Sequence, residues 1–263
     1  MFKRKKLIIG LSVLVAGLSL LANFISGKFV VPILMYHAIN DKPVAGRMLT
    51  VTVNTFERQM RFLKTHHYNV VALEALADLI AGKKPIPQKT VALTFDDGYK
   101  DNFTNAFPVL KKYGLPATMF IIINEVGRAQ ADRLSWDEIK AMQSSGVISF
   151  GSHTIGPDPL TKMKSEDELR SQVFDSKRIL EEKLGSKVGL FSYPEGTFNA
   201  HIKQLVRDAG YKLAVATNPG KTSSNTDLFA IKRIRISENS RNIFIFWIET
   251  SGYYTFMKEH RHR

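Results

Sequence analysis

Residues Thr94-Phe95-Asp96-Asp97-Gly98 close the apolar run Val91-Ala92-Leu93. Two adjacent carboxylates at a strand end repel each other and are costly to desolvate, so something must compensate them. A divalent cation does this most simply. One aspartate then binds the metal, and the other stays free as a general base. Two further segments have the types to complete such a site: Gly151-Ser152-His153-Thr154, and Phe191-Ser192-Tyr193-Pro194-Glu195-Gly196. Together they point to a metal-assisted hydrolase. The rival reading of the aspartate pair is a turn with helix-capping oxygens, and that of His153 is a hydrogen-bonded structural histidine.

These residues need a frame, and strand and helix signals alternate along the chain. Strands are expected over residues 30–36, 91–95, 117–123, 147–150, 188–193, 213–216 and 231–236. A helix is expected from Asn54, with Glu57 at the capping position and Phe56, Met60 and Leu63 on one face. Another spans 73–81 and stops at Gly82, and the one after the aspartate motif stops at Gly114. Ser135 with Glu138, and Ser165 with Glu168, read as helix starts, the second opening a long helix to Leu184. Helices over 199–209, closed by Gly210, and 241–249 complete the series. Trp136 and Trp247 sit at helical spacing and read as core or rim packing. Seven or eight β/α alternations predict a parallel barrel or a doubly wound sheet. The three chemical segments all fall just after strands, which in a barrel places them on one rim.

The 263-residue chain is 44% hydrophobic, enough for a proper core. It has no cysteine, which excludes disulfides, thiolate zinc sites and a cysteine nucleophile. The net charge of +13 favours polyanions such as acidic lipid headgroups or cell-wall polymers. The basic residues form no stripe interleaved with aromatics, so nucleic acid is not expected as a partner. Lys3-Arg4-Lys5-Lys6 precedes an apolar stretch over residues 7–25. That length spans a bilayer, and the leading charges predict a cytoplasmic stub with the remainder exported. Residues 1–27 are therefore expected to be a signal-anchor, with a cleaved signal peptide as the alternative. Residues 28–263 read as one extracellular domain, expected to be monomeric.

Thr94-Phe95-Asp96-Asp97-Gly98, Ser152-His153-Thr154 and Tyr193-Pro194-Glu195-Gly196 resemble the motifs of the polysaccharide deacetylase family (carbohydrate esterase 4, the NodB-like domain). The opening Val31-Pro32-Ile33-Leu34-Met35-Tyr36-His37 is similar to the biofilm-polysaccharide deacetylase branch. The resemblance implies a deformed (β/α)7 barrel that removes N-acetyl groups from N-acetylglucosamine polymers with a divalent metal such as zinc, cobalt, manganese, nickel or iron. It implies Asp96 as general base, and Asp97 and His153 as metal ligands. The backbone N–H of Glu195 would hold the oxyanion, and His37 would be proton donor to the departing amine. Tyr193, Pro194 and Arg235 would line the substrate site.

Four departures from the family pattern matter. Pro157 stands where a second motif histidine is usual, and proline cannot bind metal. Asp158, one residue on, offers an oxygen that would complete a two-aspartate, one-histidine set; its competing reading is a turn residue between two prolines. Ser192 stands where an arginine often orients the base, leaving Arg233 or Arg235 to supply that charge. Glu195 replaces an aromatic. No late Leu-x-His segment is evident, and His260 and His262 fall in a basic tail expected to fray. An active, membrane-anchored deacetylase and a catalytically impaired glycan-binding relative are the two readings that remain.

Overall fold

A computed structural model describes residues 29–260, apart from 47, 83, 129–131 and 218–226. The apolar stretch over residues 7–25 lies outside the described residues. Among those described, no helix is long and apolar enough to cross a membrane. The chain begins with β1 (Ile33–Tyr36), β2 (Ala38–Ile39), β3 (Thr50–Val51), α1 (Val53–Thr65), β4 (Asn69–Val71), α2 (Leu73–Ala81) and β5 (Thr90–Phe95). A π-helical turn, Asn102–Ala106, leads into α3 (Phe107–Tyr113), followed by β6 (Ala117–Ile121), α4 (Trp136–Ser144) and β7 (Ile148–Ser152). Next come α5 (Glu166–Arg170), a second π turn over Ser171–Asp175, α6 (Ser176–Leu184), β8 (Leu190–Ser192), α7 (Ala200–Asp208) and β9 (Leu213–Ala216). The C-terminal part holds β10 (Ile231–Lys232), β11 (Ile234–Arg235), α8 (Ile243–Thr250) and α9 (Tyr254–His260).

The main sheet is wholly parallel and almost closes into a barrel, in the order β10-β9-β8-β7-β6-β5-β1-β11, with β4 added alongside β5. Closure comes from one passage of chain. Residues 231–232 pair with β9, and residues 234–235 pair with β1. The single strand expected over 231–236 is therefore split at Arg233, whose N–H donates to the Ala216 carbonyl at 3.0 Å. Counting β10 and β11 as one position gives seven, in keeping with the expected (β/α)7 barrel rather than a doubly wound sheet.

Successive strand residues face opposite sides, and the core divides accordingly. Ile33, Ala92, Phe120, Leu190, Leu213, Val215 and Ile231 form an inner cluster with Leu73, Leu76 and Ala77 of α2, which packs into one end of the barrel. Leu34, Tyr36, Leu93, Phe95, Met119 and Phe191 form the outer cluster with helical residues such as Phe56, Met60, Leu110, Met142 and Phe246. Carrying the inner alternation toward the strand ends gives His37, Thr94 and Asp96, His153, Ser192, Arg233 and Arg235. The residues that could do chemistry thus lie on the inner parity of the barrel.

Helix starts follow local hydrogen bonding. The Ser135–Glu138 capping box is present in both directions, and Ser165 and Asn199 cap their helices as side-chain acceptors. The first helix departs from expectation. Its cap is Thr52 rather than Asn54, because Glu238 accepts from the Thr52 N–H at 3.0 Å, and Thr52 accepts from the Thr55 N–H. Glu57 instead reaches Lys112 at 2.6 Å. Of the tail expected to fray, residues up to His260 belong to α9, and His262 lies outside the described residues. Trp247, expected to pack, lies on the outside of α8.

Candidate active site

Asp96 is buried at the end of β5 and is gripped by Arg233 from the barrel seam. The guanidinium donates from Nη1 to Oδ1 at 2.7 Å and from Nη2 to Oδ2 at 2.6 Å, a two-pronged pairing. Nη2 also donates to Ser192 Oγ at 2.9 Å, and Nη1 lies 3.3 Å from Thr94 Oγ1. Burial pushes the Asp96 carboxyl up, but the Arg233 charge and hydrogen bonds, with the neighbouring His153 and His37 adding to them, outweigh it. They hold the pKa down at about 2. Of the two arginines considered for this role, Arg233 fills it. Arg235 is exposed and lines the cavity instead. Ser192, a departure in the sequence, is the small residue on β8 that receives this guanidinium.

His153 follows β7. Its Nδ1 lies 2.8 Å from the Ser192 carbonyl. A carbonyl only accepts, so Nδ1 carries the proton and the Nε2 lone pair is free. Nε2 lies 3.5 Å from Asp97 Oδ1 and 3.8 Å from Asp96 Oδ2. An imidazole whose far nitrogen is fixed by a carbonyl, next to a carboxylate, fits two positions of a divalent metal site. Among the described residues no third His, Cys, Asp or Glu joins them into a set of three. Asp96 is engaged by Arg233. Asp158 is exposed, while Pro157 is the residue of that loop on the cavity wall. The oxygen expected from Asp158 is thus not brought to the site, because the loop presents Pro157 there.

The cavity, about 410 Å³, takes in His37, Asp96, Asp97, His153, Pro194, Glu195 and Arg235. Burial lowers the pKa of His37, against the opposing pull of Asp96 and Asp97. Its Nδ1 is buried without a hydrogen-bond partner. Tyr193 contributes to the wall, but its ring stacks on Phe198 and its hydroxyl donates to the Phe229 carbonyl at 3.0 Å. It supports the turn rather than offering a free hydroxyl. The Glu195 side chain is exposed and lies 3.9 Å from Lys162, leaving its backbone as the part at the cavity turn.

Three non-glycine residues just beyond strand ends have positive φ: Asp97 at 70°, Thr154 at 70° and Glu195 at 54°. Such conformations are uncommon, most of all for β-branched threonine, and they gather at functional sites. Thr154 is held there by hydrogen bonds to the Gly156 carbonyl at 2.6 Å and from its own N–H to Ser152 Oγ at 3.1 Å. Next to Glu195, Gly196 at φ 69° comes so close to Thr217 that an added Cβ would lie 2.5 Å from its backbone nitrogen.

The two π turns supply positioning residues that the motifs do not reveal. Asn102, in the first, donates to the His37 carbonyl at 2.7 Å. Gln172, in the second, accepts from the N–H groups of Ile155 and Gly156, both at 3.0 Å, and so fixes the loop after His153. Single-turn π insertions are frequent at functional sites. The sequence signal, an amide side chain in a helix well after its strand, is too common to single out.

Fold and site together define a parallel α/β-barrel hydrolase with a carboxylate–histidine centre. The family model "Polysaccharide deacetylase" matches residues 83–214. The Bacillus subtilis (strain 168) protein YxkH, which carries that family's name, is 36% identical over 83% of this chain and 76% of its own length. A Staphylococcus aureus poly-β-1,6-N-acetyl-D-glucosamine N-deacetylase is 29% identical over 73% of this chain and 69% of its own. Among solved structures, the Streptococcus pyogenes deacetylase PplD in complex with acetate superposes with a TM-score of 0.72 at 32% identity, covering 80% of this chain and 93% of that one. The chain belongs to the polysaccharide deacetylase family and is a deacetylase hydrolase.

Proposed function

We propose that the protein removes N-acetyl groups from an N-acetylglucosamine-containing polysaccharide of the cell surface, assisted by a divalent metal at Asp97 and His153. The reading is carried by the convergence of Asp96, Asp97, the tautomer-fixed His153 and His37 in one cavity. The similarity to the poly-β-1,6-N-acetyl-D-glucosamine N-deacetylase favours that class of polymer. A metal at Asp97 and His153 would polarise the acetyl carbonyl and acidify a water. Asp96, kept ionised by Arg233, accepts the proton of the attacking water. The backbone N–H of Glu195 donates to the oxyanion of the tetrahedral intermediate. The departing amine needs a proton. His37, in the same cavity, would relay to it the proton that Asp96 takes from the water.

The test is acetate release from a β-1,6-linked N-acetylglucosamine oligomer by purified protein with added metal. Asp96→Asn should lower turnover roughly 10²–10⁴-fold while metal binding persists, because Asp97 and His153 remain. Undiminished release would sink the assignment of the base. A second reading, glycan binding with little hydrolysis, draws on the absence of a third metal-binding side chain among the described residues. Tight oligomer binding without release would select it. We further propose that residues 28–263 lie outside the cytoplasmic membrane, held by residues 7–25. Protease added to intact protoplasts should digest the domain, and a protected domain would invert the topology.

A further inference from the structure

Helix α8 carries six consecutive apolar residues, Ile243-Phe244-Ile245-Phe246-Trp247-Ile248. A helix that is apolar all round must cover both its faces. The inner face does so: Phe246 is fully buried and meets Phe62 of α1 edge to face. The outer face does not. Phe244 is 60% exposed, Trp247 48% and Ile245 39%, with the Phe244 and Trp247 rings side by side at 5.5 Å. Met257 of α9 is 46% exposed. These are four of the six most exposed large apolar side chains among the described residues.

Two observations say what covers this face. Beside it, Arg58, Arg61 and His66 of the α1 segment line a cleft of about 290 Å³ that Ile243 closes. Arg58 and Arg61 are exposed, as are Arg241 and Lys258 on the C-terminal helices. In addition, the described chain starts at the foot of the same helix. The Val30 N–H donates to the Gly252 carbonyl at 2.8 Å, and the Phe29 ring meets Tyr253 at 6.0 Å. Residues 29 and 30, where the described chain begins, thus sit beside the end of α8, and in the sequence the apolar stretch over residues 7–25 shortly precedes them.

We propose that the outer face of α8 docks on an anionic lipid bilayer. Phe244, Ile245 and Trp247 enter the interfacial layer, and Arg58 and Arg61 meet phosphate headgroups. The inference rests on the membrane-anchored placement proposed above. Exposed aromatics flanked by arginines suit the headgroup boundary, where Trp is favoured and each basic side chain adds attraction to anionic lipid. A second copy is the poorer occupant, since a two-fold contact across this face brings the same arginines toward one another.

The experiment uses the full chain reconstituted in phosphatidylcholine–phosphatidylglycerol vesicles whose acyl chains carry bromine, a contact quencher of tryptophan. The difference in emission between wild type and Trp247→Phe isolates Trp247, whose exposure makes the substitution safe for folding. We expect that difference signal to be blue-shifted and largely lost to quenching. Arg58→Gln with Arg61→Gln should restore much of it. Flotation with the vesicles but no quenching of Trp247 would overturn the docking face and leave the anchor standing. A blue shift that appears without lipid and grows with protein concentration would assign the face to a second copy and overturn it equally. Acetate release from a soluble oligomer should be unchanged in Trp247→Phe, so a failure of the deacetylase reading is seen separately.

Discussion

Replacing Arg233 by methionine removes the charge that holds Asp96 ionised while keeping the side chain's bulk. The present depression, from an ordinary 3.8 to about 2, corresponds to about 2.5 kcal/mol at about 1.4 kcal/mol per unit. A depressed carboxyl stabilises the fold at pH values above its unfolded pKa. That contribution is complete above pH 3.8 and is lost as the pH falls through about 2. In Arg233→Met the burial cost of Asp96 remains without its compensation, so unfolding in urea at pH 7 should show a loss of about 3–5 kcal/mol. Burial then governs Asp96, and its pKa rises above the ordinary value. The acid limb of kcat/KM should therefore move to higher pH. Asp96→Asn in the same chain removes the stranded charge and should recover stability without recovering activity. Wild-type stability with an unmoved acid limb would refute this account of the pair. So would a double variant no more stable than Arg233→Met alone.

Asp158→Ala should bind metal as the parent does by calorimetry, whereas Pro157→His, on the cavity wall, should tighten binding by roughly 10–100-fold, the range typical of changes in a metal site's support. Glu249 is buried, with Oε2 unpartnered, and burial pushes its pKa up to about 7 against the hydrogen bond from Ser240. A raised carboxyl stabilises the fold fully below its ordinary 4.5 and loses that contribution as the pH rises through 7. Wild type should thus lose about 3 kcal/mol across that window, and Glu249→Gln should stay flat in urea unfolding at pH 4.5 and 8. Gly196→Ala should cost about 1–3 kcal/mol from the clash with Thr217 and depress acetate release through the displaced Glu195 N–H; a variant with wild-type melting and turnover would show that the turn tolerates a side chain.

Much of the fold was legible because its determinants are local. The Ser135–Glu138 box, the Ser165 start and the stop at Gly114 involve residues within one helical turn, and the structure reproduces them. The short β4 and the β2–β3 pair had no such signal. The start of α1 was misplaced because Glu238, 186 positions away from Thr52, takes part in its cap. Trp247 looked like packing because a run of apolar residues suggests burial but does not say which face has a partner.

In the site, Asp96, Asp97, His153, Pro194 and Glu195 stood out because each motif couples a strand end to a sharp turn, which is a short-range property. By itself the sequence determined the carboxylate pair, the tight turns and the alternation that sends both to one rim. It also determined that a proline replaces the usual second histidine. Whether Arg233 or Arg235 reaches the base, and whether Pro157 or Asp158 faces the cavity, depended on contacts between distant segments. Barrel closure decided the first, and the loop that Gln172 fixes after His153 decided the second. Splitting the last strand at Arg233 lets one short passage pair with both β9 and β1, and inner-face parity then carries the guanidinium to Asp96, 137 positions earlier in the chain.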